Sequence, residues 1–595
     1  MSAITALDRR SKVAATIIVA TLAGVFILPW FVPVSIAQVV SDSQAVGFSN
    51  RTATICLIAG SIAMALLAYY FGRATMSEQS EPFVNMNGVP AEDRVNPRLV
   101  GAVTLLTLLM VLAVGAIVRD HPFGDALYFT NGWLRVAAGG KPFSQVEFSY
   151  GPAMFYVPFL TWRMLRVAGA NMYAVYYCWV GIFHALGLLF TAYLLNRIQL
   201  RRSLRSAAFM FVGAFSCLQV TLGLNYTVFR FLLPYVLLVY VLGRLSESPR
   251  SIVGGLLPLA AVAIAASVSP EMGVALLVGL VAALVVLIVR GSRAHLFALS
   301  VLLIGSLLVA ATSVVGLGTM AAFAGGAFYF PVLPGLPALV FVGTMLLLAW
   351  SVGSTFRIFD DTGVSLQTGW FALALVLVAP SLGRADFGHL LFNGLGAVLA
   401  CVAIADRYRR RGSTYLGLTA AVFLSAMVLY IAVDFTPSLL NPAAGADQPQ
   451  TAARLAEIPS LAFDSYLNGE VGRQLSESGN LVPTYCDPAG ALTRADFAKV
   501  TQQLASARSI ALPTSQLDAL RRATAGSTGT ESQGLTMSVP TAVGGPHRYG
   551  ELMWFPIKLK GRNPIFDIEA TYGKLLQRDW TAYEQIGQYT LLRRR

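Results

Sequence analysis

Long apolar runs separated by short polar connections dominate the chain from its start to residue 435. Each run is long enough, or nearly so, to cross about 30 Å of hydrocarbon as an α-helix. We therefore predict an α-helical polytopic membrane protein. Its thirteen membrane-spanning helices are expected at residues 13–33, 52–72, 99–118, 172–195, 206–223, 226–243, 251–268, 271–289, 295–316, 336–356, 365–380, 388–405 and 414–433.

A polar tail, residues 436–595, follows the last apolar run. Helical patterns at 492–507 and 516–523 alternate there with strand-like runs at 509–512 and 588–592, and residues 524–545 are typical of a loop. We predict a small C-terminal α/β domain. The expected domains are an N-terminal region 1–98 with two additional transmembrane helices, a transmembrane core 99–435 with a large loop at 119–171, and the tail 436–595.

Composition and charge narrow the class of protein. Hydrophobic residues make up 56% of the chain and charged residues 12%, which excludes a water-soluble protein because such proteins carry about 25% charged residues. The net charge is +13, and a cytoplasmic N-terminus places 19 of the 27 basic residues before position 436 on the cytoplasmic side. The charge therefore indicates topology and gives no support to nucleic-acid binding.

This topology predicts a multi-pass membrane protein with its N-terminus in the cytoplasm. The loop 119–171 and the C-terminal tail are expected outside the cytoplasm. The first apolar run continues for about twenty residues without a clear cleavage site, so we expect an anchored helix rather than a signal peptide. The shorter apolar stretch 152–165 predicts a helix that lies at the membrane interface.

The first large external loop carries the first set of candidate residues, which are Asp125, Tyr128, Lys141, Glu147 and Tyr150. The carboxylates of Asp125 and Glu147 are candidates for acid–base chemistry, and together they would suit a divalent cation. The five cysteines are scattered and form no metal-binding motif, so no metal ligands are assigned. The alternative interpretation of Asp125 is that it caps a helix starting at Ala126.

Glu271 lies in the tight external turn Ser269-Pro270-Glu271 between two apolar runs. A carboxylate at membrane depth is costly and marks a functional site by default. At the interface, however, Pro270 and Glu271 are equally typical of an ordinary helix start.

Arg384, Asp386 and His389 form the third set, at the external end of two predicted helices. Arginine supplies fixed charge and directional donors, and a helix N-terminus adds partial positive charge, so this set predicts a phosphate site. The alternative is a surface Arg–Asp pair worth under about 1 kcal/mol.

In their order and common side, Gly124-Asp125, Tyr150-Gly151-Pro152 and the Arg384-Ala-Asp386-Phe-Gly-His389 stretch resemble the GT-C superfamily of membrane glycosyltransferases. This superfamily includes protein O-mannosyltransferases, the aminoarabinose transferase of lipid A and the mycobacterial arabinosyltransferases. The likeness covers about residues 99–435. The chain departs from some members in its two extra N-terminal spans and in having a single Asp125 where they have an acidic pair.

The resemblance implies a bacterial inner-membrane protein whose loop 119–171 and C-terminal tail lie in the periplasm. It also implies inverting transfer of a sugar from a polyprenyl-phosphate donor to a hydroxyl of a glycan, lipid or protein acceptor at the periplasmic face, in cell-envelope glycan synthesis or modification. Asp125 would then be the general base, and Arg384 would hold the donor phosphate with His389 and Lys141. Glu147, Glu271, Asp386, Tyr128 and Tyr150 would orient the substrates. Two alternatives stay open: a transporter or flippase for a lipid-linked glycan, and a polymerase or ligase that uses diphosphate-linked glycans.

Overall fold

The computed structural model describes most of the chain up to residue 410 and short strands in the tail. The described residues are 2–32, 48–71, 83–85, 88–118, 124–137, 148, 150–220, 223–248, 251–312, 332, 334, 336–356, 361–384, 387–410, 480–482, 492–493, 510–511, 551–554, 580–586 and 589–594.

The part before residue 411 is helical, as the apolar runs predict. The helices are α1 Ser2–Phe26, α2 Asn50–Phe71, α3 Pro97–Val118, α4 Gly124–Ala137, α5 Pro152–Leu165, α6 Met172–Leu195, α7 Arg202–Leu218, α8 Val228–Glu247, α9 Ile252–Val268, α10 Pro270–Val289, α11 Leu296–Thr312, α12 Leu336–Thr355, α13 Asp361–Val376, α14 Val378–Arg384 and α15 Phe387–Arg410. Local signals fix several starts. The Asn171 side chain accepts from the first backbone N–H groups of α6, and proline opens α5 and α10.

Nine segments among the described residues are long and apolar enough to cross a membrane, so the chain is a multi-pass membrane protein. They are Lys12–Trp30, Asn50–Tyr70, Ala91–Ala116, Met172–Leu195, Val228–Glu247, Pro270–Val289, Ala338–Thr355, Thr362–Gly383 and His389–Arg407. Each corresponds to one of the predicted spans.

The other four predicted spans have a different status. Two of them correspond to α7 and α9, which have 17 residues each and are shorter than a typical spanning helix, and a third corresponds to α11, of which 17 residues are described. The fourth, residues 414–433, lies outside the described residues. The count of thirteen therefore stays a prediction, as does the division into domains.

The antiparallel helices define two ends of the bundle. Helices α6, α8, α10 and α15 begin at one end, which we call the loop end because the connection 223–227 lies there. At the opposite, basic end, Arg201 pairs with the buried Asp406, and the guanidinium of Arg290 donates to the carbonyl of Phe356. The basic residues expected on the cytoplasmic side lie at this end wherever their helices are described.

Small residues allow some helices to approach closely. A Cβ atom added to Gly279 on α10 would lie 2.9 Å from the carbonyl oxygen of Gly369 on α13, so only glycine fits this contact. Such small-residue contacts are typical of helix packing in membranes. Residues of α1 and α2 share one buried cluster with α12, α14 and α15, so the N-terminal helices pack directly on the rest of the bundle.

The described strands of the tail form two sheets, one with β1 Asn480–Val482 antiparallel to β2 Leu492–Thr493. The other contains β3 Ile510–Ala511, β4 Glu551–Trp554, β5 Trp580–Ile586 and β6 Tyr589–Arg594 in the order β3-β4-β6-β5, with only the β3–β4 pair parallel. Strand β3 lies within the strand-like run predicted at 509–512, and β6 overlaps the run predicted at 588–592, whereas the C-terminal α/β domain as a whole stays a prediction. The helix predicted at 492–507 is wrong at its first two residues, because pairing with β1 outweighs a local pattern that β-compatible residues satisfy equally. The remainder of that segment, the helix at 516–523 and the loop at 524–545 lie outside the described residues.

Candidate functional site

A buried ion pair joins α8 to the start of α10 at the loop end. Arg230 Nη2 donates to Glu271 Oε1, and the two side chains are only 9% and 10% exposed. Arg230 Nε donates to Ser269 Oγ over 3.0 Å, and Nη1 donates to the carbonyl oxygen of Asn225 over 2.9 Å. One guanidinium therefore binds the turn between α9 and α10 and the connection that precedes α8.

The connection before α8 brings a second polar side chain into this site. Gly223 has φ +89°, a left-handed conformation that favours glycine, and the chain then makes one helical turn over Leu224–Tyr226. In this turn Asn225 Nδ2 donates to the Tyr150 hydroxyl, and the backbone N–H of Leu224 donates to the Tyr176 hydroxyl over 2.9 Å.

Tyr150 reaches the site because its neighbour Gly151 lies against the end of α9. The Gly151 N–H donates to the carbonyl oxygen of Val268 over 3.1 Å, and any Cβ at this position would overlap the backbone of Ser267. The ring of Tyr150 then lies 4.8 Å from Arg230 Cζ, a cation–π contact. The Tyr150-Gly151-Pro152 stretch therefore contacts both the end of α9 and the ion pair.

His389, near the start of α15, approaches the same connection. Its Nε2 lies 3.2 Å from the Tyr226 hydroxyl, and the two rings meet edge to face. Because Tyr226 follows Asn225 directly, this contact links α15 to the network of Arg230. We call the set Tyr150, Asn225, Tyr226, Arg230, Ser269, Glu271 and His389 the polar network.

Helix α4, which carries Asp125, packs against the polar network through an aromatic ring. Phe129 is fully buried and stacks on Tyr150 with ring centroids 5.9 Å apart and an interplanar angle of 9°. Asp125 lies one helical turn before Phe129. Because α4 begins at Gly124, Asp125 lies inside its first turn, and the interpretation of Asp125 as the cap of a helix starting at Ala126 is wrong. The N-terminal turn favours an acidic residue through the helix dipole, as the cap position does, so the sequence alone does not separate the two.

The predicted site residues fall into three groups. Glu271, Tyr150 and His389 belong to the polar network. For Asp125, Tyr128 and Arg384 the structure describes the backbone, within α4 and α14, but not the side chain. Lys141, Glu147 and Asp386 lie outside the described residues, so their roles stay predictions.

Four residues of the polar network were not predicted as site residues, namely Arg230, Asn225, Tyr226 and Ser269. Arg230 carried a signal, since an ionisable residue within an apolar span is a functional candidate by default. Asn225 and Tyr226 offered none, because their role depends on contacts with residues distant in the sequence.

No group of three His, Cys, Asp or Glu residues suited to a metal ion exists within the described part of the chain. Glu147 and the side chain of Asp125 are not in that part, so the suggested divalent cation stays untested.

No protein-family model and no curated protein matches the sequence. Among solved structures, the chain matches the oligosaccharyltransferase of Archaeoglobus fulgidus, crystallised in complex with zinc and sulfate. The identity is 11%, the match covers 82% of this chain and 53% of the other, and the TM-score is 0.19. The chain thus spans about half the length of that protein, and the TM-score is too low to establish a shared fold.

Proposed function

We propose that the protein is an inverting glycosyltransferase of the bacterial inner membrane. It would move a sugar from a polyprenyl-phosphate donor to an acceptor hydroxyl at the periplasmic face, in cell-envelope glycan synthesis or modification. One observation carries the proposal. Through Tyr150 and its stacking on Phe129, the polar network joins, at one end of an apolar bundle, the segments around Asp125, Tyr150 and His389 on which the GT-C resemblance rests.

In this mechanism Asp125 removes the proton from the acceptor hydroxyl while the hydroxyl oxygen attacks the anomeric carbon. The bond from that carbon to the phosphate oxygen breaks with inversion, and the lipid phosphate leaves. A phosphate leaving group needs charge stabilisation more than a proton, so one base and a cationic site suffice. Arg384 supplies that charge with help from His389 and Lys141, and Asp386 positions Arg384.

The polar network supports the binding role that accompanies this chemistry. A carboxylate, an amide and phenolic hydroxyls at the end of a bundle are suited to the hydroxyl groups of a sugar. Glu147, Glu271, Tyr128 and Tyr150 would orient donor and acceptor there. The lipid tail of the donor would remain in the bilayer while its phosphate and sugar reach the loop end.

The direct test is sugar transfer by the purified full-length protein from synthetic polyprenyl-phosphate sugars, with the product identified by mass spectrometry. Asp125→Asn should lower the rate by about 10²- to 10⁴-fold, the usual contribution of a general base. Asp93→Asn, the same chemical change at an exposed position of the basic end, should leave the rate unchanged. Full activity of Asp125→Asn would remove Asp125 as the base.

The role of Arg384 is tested by donor binding. Arg384→Ala should weaken binding of the polyprenyl-phosphate donor, whereas Arg98→Ala, at an exposed position of the basic end, should not. Unchanged donor affinity in Arg384→Ala would remove its phosphate role.

The same preparation distinguishes the two alternatives. A flippase would move a fluorescent lipid-linked glycan across a vesicle membrane without forming a covalent product. A polymerase or ligase would use diphosphate-linked donors and leave monophosphate donors unreacted.

A further inference from the structure

Two acceptor atoms of the polar network have no hydrogen-bond partner among the described residues. They are Glu271 Oε2 and Asn225 Oδ1, and both are shielded from solvent. Asn225 is 1% exposed, and the other amide atom of its side chain is committed to the Tyr150 hydroxyl. A buried acceptor without a donor is costly, so these two atoms call for a ligand that supplies donors.

Both residues that carry these acceptors are bound by the same guanidinium. Arg230 binds the other oxygen of the Glu271 carboxylate, and its neighbouring nitrogen binds the backbone carbonyl of Asn225. The rigid fork of the guanidinium fixes the distance between the two residues. Arg230 therefore holds Glu271 and Asn225 in place and acts as a positioning residue.

The charge of the site favours neutral ligands over cationic ones. Arg230 already neutralises the carboxylate of Glu271, so a metal ion or an ammonium group would face the guanidinium at close range. Neutral hydroxyl groups donate hydrogen bonds without this repulsion. Two buried acceptors on residues bound by the same guanidinium are suited to a ligand with two hydroxyl groups, as on a sugar ring.

We propose that Glu271 Oε2 and Asn225 Oδ1 form a two-acceptor subsite that binds two hydroxyl groups of a carbohydrate. The choice of a carbohydrate rests on the proposed function, but binding at this subsite does not require that transfer occurs. A ligand of this subsite must carry hydroxyl groups that donate hydrogen bonds; a ligand with acceptor oxygens alone should not bind there.

A comparison of two probe sets tests this requirement for hydroxyl donors on the unaltered protein. Full-length protein in nanodiscs free of glycoside detergent is mixed with methyl glycosides of common hexoses and pentoses, and binding is followed by saturation-transfer NMR. Fully O-methylated versions of the same glycosides keep the ring and the acceptor oxygens but have no hydroxyl donors. At least one free glycoside should receive saturation, and its methylated version should not.

The variant Glu271→Gln tests the assignment to this site. It preserves the size of the side chain and an oxygen for Arg230, but it replaces the unpaired acceptor with an NH₂ donor. The affinity for the bound glycoside should fall by about tenfold or more, the usual effect of losing a hydrogen bond to a charged group. The matched control is Asp406→Asn, which alters another buried ion pair at the basic end and should leave glycoside affinity unchanged.

Each outcome bears on the subsite. It is refuted by equal saturation of free and methylated glycosides, by unchanged affinity in Glu271→Gln, or by no saturation with any glycoside; the last result would assign the two acceptors to buried water. If Glu271→Gln does not fold, the comparison of free and methylated glycosides on the unaltered protein still tests the subsite. Glycoside binding without sugar transfer would refute the proposed function alone, whereas transfer with unchanged sugar affinity in Glu271→Gln would refute the subsite alone.

Discussion

The ion pair between Arg230 and Glu271 should contribute strongly to the measured stability of the bundle when only one partner is changed. Arg230→Met leaves the Glu271 carboxylate buried without its cation, and Ser269 Oγ and the Asn225 carbonyl lose a donor. Breaking a buried pair in this way costs about 3 to 5 kcal/mol. We expect the free energy of unfolding to fall by that amount.

A double-mutant cycle separates the pair from its surroundings. Arg230→Met combined with Glu271→Leu removes both charges, and buried pairs replaced by apolar residues are often neutral or stabilising. The double variant should therefore be more stable than Arg230→Met alone, with a coupling energy of at least about 2 kcal/mol. The measurement is equilibrium unfolding in mixed micelles, followed by tryptophan fluorescence, because Trp133 and Trp162 lie in the aromatic cluster beside the polar network.

The control cycle uses the exposed pair Arg244 and Glu247 at the basic end, whose side chains are 59% and 65% exposed. Arg244→Met and Glu247→Leu should show no measurable coupling, because solvent screens such pairs. A cost below about 1 kcal/mol for Arg230→Met, or additive effects in the Arg230–Glu271 cycle, would refute the assignment of a desolvated ion pair.

Three further predictions use the same unfolding measurement. Tyr226→Phe should lower the free energy of unfolding by about 0.5 to 1.5 kcal/mol, because it loses the 3.2 Å hydrogen bond with His389; no change would mean that this contact is not formed. Arg205→Met should cost about 3 kcal/mol or more, and Arg205→Lys should restore only part, because one ammonium cannot serve the backbone carbonyls of Asp93, Leu195, Ile198 and Leu200 together. Gly279→Leu should cost about 1 to 3 kcal/mol or prevent folding by overpacking the contact with α13, whereas Gly101→Leu, with open space around its Cβ, should be tolerated.

The helical elements were predictable because the apolar runs are long and their ends carry strong local signals. The stretch 152–165 is the clearest case, since α5 begins at Pro152 and ends at Leu165. Proline favours the first turn of a helix, and the apolar run ends near the basic residues Arg163 and Arg166. An element whose conformation depends on pairing with another segment was less predictable, as β2 shows.

The polar network was only partly predictable, for a related reason. Glu271, Tyr150 and His389 stood out because each lies in a loop between predicted spans or at the first residues of a span. Arg230 did not stand out, because its carboxylate partner lies 41 positions further along the chain. Only the folded bundle brings α8 against the start of α10. The sequence therefore indicated Glu271 as a candidate residue but not its ion pair with Arg230.

The energetics of Arg230 and Glu271 argue that the pair is present for function rather than for stability. Burying both charges costs several kcal/mol, and their attraction only approximately offsets this, so an apolar pair of similar volume would stabilise the bundle equally well. Such a pair would not hold Asn225 or provide the unpaired oxygen of Glu271. The double variant Arg230→Met/Glu271→Leu should therefore fold and yet lose both glycoside binding and sugar transfer. If it kept both activities, the polar network would be a structural feature and the sugar would have to bind elsewhere.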